Sequence, residues 1–131
     1  MTMELLQKII RYLVAGGLAL LVHLAVLTGL VEWLLVDELL ATSVGFLCAV
    51  PVNFHLQRTF VFKSNGSYAT EFRRYVLVTI STFLLNGVVF AILHSGVGIQ
   101  YIPAQLCATV VILVANFIIN YFFTFSLRNA R

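Results

Sequence analysis

The stretch that decides the fold is YVLVTISTFLLNGVVFAILHSGVGIQYIPAQLCATVVILVANFIINYFFTFSL (Tyr75–Leu127), fifty-three residues without an Asp, Glu, Lys or Arg. A helix crossing a bilayer needs about 20 apolar residues, so this run is too long for one span and long enough for two. Inside it, HSGVGIQYIP (His94–Pro103) carries the turn formers Gly96, Gly98 and Pro103. That break predicts spans at Tyr75–Leu93 and Ile102–Phe122.

Toward the N-terminus lie two more charge-free runs. Leu39–Gln57 is bounded by Glu38 and Arg58, and Tyr12–Val31 by Arg11 and Glu32. The first of the four has too long an apolar core for a cleaved signal peptide, and no small-x-small site follows it. Composition agrees with this reading. Hydrophobic residues are 61% and charged residues 10% of the chain, with a mean hydropathy of +1.02, whereas soluble domains carry about 25% charged residues. The expected fold class is an all-α integral membrane protein with four transmembrane helices. Cys48 and Cys107 lie inside apolar runs without CxxC spacing and read as small packing residues.

The charges set the topology. Lys8 and Arg11 precede the first span, Arg58, Lys63, Arg73 and Arg74 separate the second from the third, and Arg128 and Arg131 follow the fourth. These are all eight basic residues, and all fall on one side. The other side has Glu32, Asp37 and Glu38 in its first loop and no charge in its second. An excess of Lys and Arg marks cytoplasmic loops, so both termini are expected in the cytoplasm, with the chain in the cytoplasmic membrane. The basic residues form a collar near anionic lipid headgroups, not a nucleic-acid footprint.

Two phrases repeat in register. NFHLQRTFVF (Asn53–Phe62) and NFIINYFFTF (Asn116–Phe125) are sixty-three residues apart. At that offset and with no gap, Arg11-Tyr12 falls on Arg74-Tyr75, His23 on Asn86 and Ala41 on Ala104. The pattern predicts a duplicated two-helix hairpin, with repeat 1 at about residues 8–63 and repeat 2 at about 71–127 of a single membrane domain covering residues 1–131. Each copy has an even number of spans, so the halves form a parallel repeat about an axis near the membrane normal. Met3–Leu13 is amphipathic and predicts a short cytoplasmic interfacial helix before the first span, with Ala69–Arg74 as its counterpart. KSNGS (Lys63–Ser67) reads as a turn.

These features resemble the GtrA-like family over about residues 8–127. The resemblance rests on the Arg11-Tyr12 pair, the four short spans and the two repeated phrases. The usual end of the second span is similar to Asn-Phe-x-x-Asn-Arg-x-Trp-x-Phe. Here Asn53, Phe54, Arg58 and Phe62 match, Gln57 stands for the second Asn and Phe60 for the Trp. In the second copy Asn116, Phe117, Asn120 and Phe125 match, and Tyr121 replaces the Arg. The resemblance implies a role in cell-surface polysaccharide synthesis, with polyprenyl-phosphate-linked sugar as substrate and a membrane glycosyltransferase as partner.

Such a lipid has an anionic phosphate, a hydroxyl-rich sugar and an apolar tail. Arg58, with Arg11 and Arg74, suits the phosphate through guanidinium hydrogen bonds; plain anchoring among headgroups is the competing reading. Asn53 and Gln57 lie four residues apart on one helix face, as do Asn116 and Asn120. These amides either meet sugar hydroxyls or tie helices together. His23 and Asn86 form a possible midplane polar pair, able to relay protons or simply packed and hydrogen-bonded. Pro51 is expected to kink the second span beside Asn53, and Ala41-x-x-x-Gly45-x-x-x-Ala49 is a small-residue packing stripe.

No carboxylate lies within the predicted spans, and no catalytic or metal constellation can be assembled from the three histidines. The chain is therefore expected not to be an enzyme and to need no cofactor. A small multidrug-type exporter is a rival on size alone, and a non-transporting accessory of a glycosyltransferase is a second rival. Four spans filled with Phe and Leu leave little room for a glycolipid path, which predicts a homo-oligomer or a complex with a membrane enzyme.

Overall fold

The computed structural model describes residues 2–125, apart from the side chain of Tyr101. Arg128 and Arg131 lie outside the described residues, as do the last two positions of the predicted second repeat. Four long helices make up most of the described chain: α1 (Met3–Leu34), α2 (Glu38–Leu56), α3 (Tyr68–Ala91) and α4 (Tyr101–Ile119). No strand occurs among the described residues. All four helices, with the wide turns that continue three of them, are long and apolar enough to cross a membrane.

The chain divides into two compact units, one ending at Ser64 and the other beginning at Asn65, within the predicted KSNGS turn. In the first unit, Thr2 caps α1 by accepting from the Leu5 N–H at 3.3 Å. Leu35 then takes a left-handed conformation, φ 54°, and the Val36 N–H returns to the Leu30 carbonyl at 3.0 Å. This closes the helix end as a glycine usually would. Asp37 starts α2 at once, its carboxylate accepting from the N–H groups of Leu39 (3.1 Å) and Leu40 (3.3 Å). The connection is therefore a tight helical hairpin.

Small residues set the spacing of that hairpin. Ala15 and Ala19 of α1 and Ala41, Gly45 and Ala49 of α2 are all buried, as the packing stripe predicts. Without large side chains between them, the backbones approach closely and gain dispersion contacts, a main drive for helix association in lipid. Gly45 is required: a Cβ there would lie 2.7 Å from His23 Cδ2 and 2.8 Å from the His23 carbonyl oxygen. The outward faces carry large apolar side chains, among them Leu20, Leu21 and Leu24. That is the inverse of a soluble helix, and it suits hydrocarbon as solvent.

The second unit uses the same positions. α4 has the bounds of α2 moved by sixty-three residues, and each is followed by a five-residue π-helical turn, Gln57–Val61 and Asn120–Thr124. Both turns close with the same i→i+5 bond, Phe62 N–H to Gln57 O and Phe125 N–H to Asn120 O, each 2.9 Å. Tyr12 and Tyr75, Ala19 and Thr82, Ala41 and Ala104, Val61 and Thr124, and Phe62 and Phe125 are buried at matching places.

Some expectations need correcting. Met3–Leu13 and Ala69–Arg74 are not separate helices; each is the first part of a continuous helix, α1 and α3. No turn former interrupts either segment, so nothing stops helical propagation into the span. Only Gly98 of the three predicted turn formers makes the turn, with φ +86°. Gly96 ends the π-helical turn Ile92–Gly96 after α3, and Pro103 lies in the first turn of α4, where a missing N–H costs nothing. Cys48 and Cys107 are exposed, not packed, since each immediately precedes a buried alanine, Ala49 or Ala108, and so faces outward.

Candidate functional site

At the end of the first hairpin where α1 begins, the Arg11 guanidinium carbon lies 5.6 Å from the centre of the Phe60 ring. In the second hairpin, Arg74 lies 5.5 Å from the centre of Phe123, and its Nη1 donates to the Phe123 carbonyl at 3.2 Å. A guanidinium over an aromatic face is held by the ring quadrupole. Each clasp joins the first helix of a hairpin to the turn that ends the second. The π-helical turns are what bring the rings there, because an i→i+5 turn changes the phase of every later side chain. Arg58, in the first such turn, is half-buried.

The repeated amides divide into two kinds. Gln57 and Asn120 are only 2% and 1% exposed, and the Thr124 hydroxyl donates to Asn120 Oδ1 at 2.7 Å. They sit inside their hairpins. Asn53 and Asn116 are half-buried, one turn earlier on the same helices. Tyr121 makes ring contacts with Phe117 and Phe122 at 6.2 and 4.9 Å between centroids.

His23 and Asn86 belong to different units, and each bonds within its own hairpin. His23 Nε2 and Thr42 Oγ1 are hydrogen-bonded at 3.0 Å. Asn86 Oδ1 accepts from Gln105 Nε2 at 3.4 Å, and the same nitrogen reaches Thr109 Oγ1 at 3.1 Å. Thr42 and Gln105 are again sixty-three residues apart. That register is the signal by which the sequence could have found both.

Sequence reasoning also missed Glu71. α3 starts at Tyr68, not Tyr75, so a carboxylate does lie inside a helix long enough to span, and Glu71 is 5% exposed. Its place in the first turn suits a negative charge near a helix N-terminus. Among the described residues no three His, Cys, Asp or Glu side chains gather to hold a metal ion.

With this geometry in hand, residues 11–125 match the model of the GtrA/DPMS transmembrane domain. The chain belongs to that family. The match begins at Arg11 of the first clasp and ends at Phe125, whose N–H closes the second π-helical turn. The chain is also similar to the cell wall teichoic acid glycosylation protein GtcA of Listeria innocua, at 22% identity over 94% of this chain and 88% of that one. Membership of the GtrA/DPMS family, together with four helices of spanning length, makes this a multi-pass membrane protein.

Proposed function

We propose that this chain moves a polyprenyl-phosphate-linked sugar across the cytoplasmic membrane for the glycosylation of a cell-surface polymer. The observation that carries the reading is the pair of clasps. Each fixes an arginine at the end of a hairpin where basic residues gather, and Arg58 sits within the first clasp's turn. A stacked guanidinium still offers its N–H edges, and those edges match a phosphate. Gln57 and Asn120 then shape the helix ends, while half-buried Asn53 and Asn116 are the amides able to meet sugar hydroxyls. The two hairpins are copies of one unit, and the basic side faces the cytoplasm. The GtcA relative, named for teichoic acid glycosylation, supports the pathway class.

On this reading the chain binds and moves its substrate and performs no bond chemistry. A second copy, or a membrane glycosyltransferase, completes the path, because the hairpin interiors are filled by side chains. A non-transporting accessory of such an enzyme is the alternative, favoured by the same filled interiors. An exporter of the multidrug type fits less well, since Glu71 lies in a first turn and not at mid-span. Reconstituting the pure protein in liposomes with a labelled polyprenyl-phosphate sugar tests the proposal. Transfer between leaflets above the protein-free rate is expected; no transfer by the pure protein, with transfer only when the glycosyltransferase is added, would replace translocation with the accessory role.

A further inference from the structure

A cleft of about 570 Å³ opens on the first unit where α1 runs past the start of α2, away from the Arg11 clasp. Leu27 and Val31 give it an apolar wall, Thr28 and Thr42 give hydroxyls, and Glu32 and Glu38 give two exposed carboxylates. Thr42 is fixed from behind by its hydrogen bond to His23. The second unit has different chemistry at the equivalent places. Leu27 and Val31 correspond to Phe90 and His94, whose rings stack with centroids 5.3 Å apart, and His94 Nδ1 donates to the Ile99 carbonyl at 2.8 Å. Glu32 and Glu38 correspond to Ser95 and Tyr101. Neither carboxylate has a counterpart.

We propose that this cleft binds the sugar part of a lipid-linked sugar, with the phosphate kept outside. The identity of the carrier rests on the function proposed above; the preference for an uncharged polyol rests on the lining alone. A carboxylate accepts two sugar hydroxyls through charge-assisted bonds, threonine hydroxyls donate or accept as needed, and the C–H face of a pyranose packs on Leu27 and Val31. The volume falls within the range of about 300–1,000 Å³ typical of small-molecule sites. Two carboxylates repel the negative charge of the phosphodiester. The cleft lies about 25 Å along α1 from the Arg11 clasp, so the arginines hold the phosphate and the acidic cleft holds the sugar in turn, not together.

Trp33 makes the test direct. It is the chain's single tryptophan, it is exposed, and it follows Glu32. The full chain in lipid nanodiscs is titrated with octyl glucoside and octyl galactoside, each below its micellar concentration, while Trp33 fluorescence is read. A saturable change with at least one glycoside is expected, with none from octyl phosphate. Thr28→Phe, which fills the cleft, and Glu38→Gln, which removes the charge, should each weaken binding about tenfold or more. Gly17→Ala, where an added Cβ meets nothing within 4 Å, should leave it unchanged. Circular dichroism checks folding, and Glu32→Gln replaces Thr28→Phe if that variant fails to fold. Unchanged titrations in the variants would overturn the proposal. So would a response to calcium chloride alone that a chelator reverses, with no response to either glycoside, since that marks a cation site. If glycoside binding is present and variant-sensitive while liposomes show no transfer, the translocation reading fails and the cleft stands.

Discussion

The guanidinium of Arg11 stacks over the ring of Phe60, forty-nine residues away in the chain, and Arg74 repeats the arrangement over Phe123 at the same separation. A contact found twice in one chain, in the same register, is a built feature and not an accident of surface side chains. Phe60→Leu keeps the apolar bulk and removes the quadrupole. It should destabilise the first hairpin by about 0.5–2 kcal/mol, and Phe60→Trp should restore that stability. Thermal unfolding in a mild detergent measures both. Equal melting temperatures for the Leu and Trp variants would mean that the ring serves only as bulk.

Gly45 and the Gly16-Gly17 pair make opposite predictions for the same substitution. Gly45→Ala drives a methyl group into the His23 carbonyl oxygen, a backbone atom that cannot swing away. Overpacking of this kind costs about 1–3 kcal/mol, and it should also break the His23–Thr42 hydrogen bond. Gly16→Ala and Gly17→Ala meet nothing within 4 Å, so each should be neutral or stabilising by up to about 1 kcal/mol through helix propensity. Denaturant unfolding of the three variants in one detergent compares them.

The four helices were legible in the sequence because a bilayer penalises charge heavily, so the charge-free runs mark the spans almost unaided. Their true starts were less legible. Arg11, Arg73 and Glu71 look like solvated positions on amphipathic segments, yet the helices run through them and Glu71 ends up buried. The repeated Arg-Tyr pairs and the repeated Phe60 and Phe123 were visible as sequence. Their contact was not, since it depends on π-helical turns that a 3.6-residue period does not contain. His23 and Asn86 read as a possible midplane polar pair; their hydrogen-bond partners Thr42 and Gln105 lay in the same register but without a reason to be chosen until the hairpins closed.

Orientation is open to labelling. Cys48 and Cys107 are exposed and must first be replaced. Single cysteines at Leu34 and Val97, both exposed beside the hairpin loops, should then react with an impermeant thiol reagent applied outside intact cells. One at Asn65, exposed at the start of the second unit, should react only after the membrane is opened. Labelling of all three from outside would contradict the assignment of the basic side to the cytoplasm.

Whether Arg58 grips a lipid phosphate is decided by Arg58→Lys in the liposome transfer assay. Lysine keeps the charge and reaches the headgroups equally well, so an anchor would tolerate it. A bidentate guanidinium–phosphate contact would not: losing one charge-assisted hydrogen bond costs about 1–3 kcal/mol, which is roughly a ten- to hundredfold loss of transfer. Tyr121→Phe, at the equivalent position of the second copy, should lose less, because a phenol offers one neutral hydrogen bond. The measurement is the initial rate of lipid-linked sugar transfer at matched protein density. Arg58→Lys should run roughly ten- to hundredfold below the parent rate; a rate equal to the parent's would leave Arg58 an anchor.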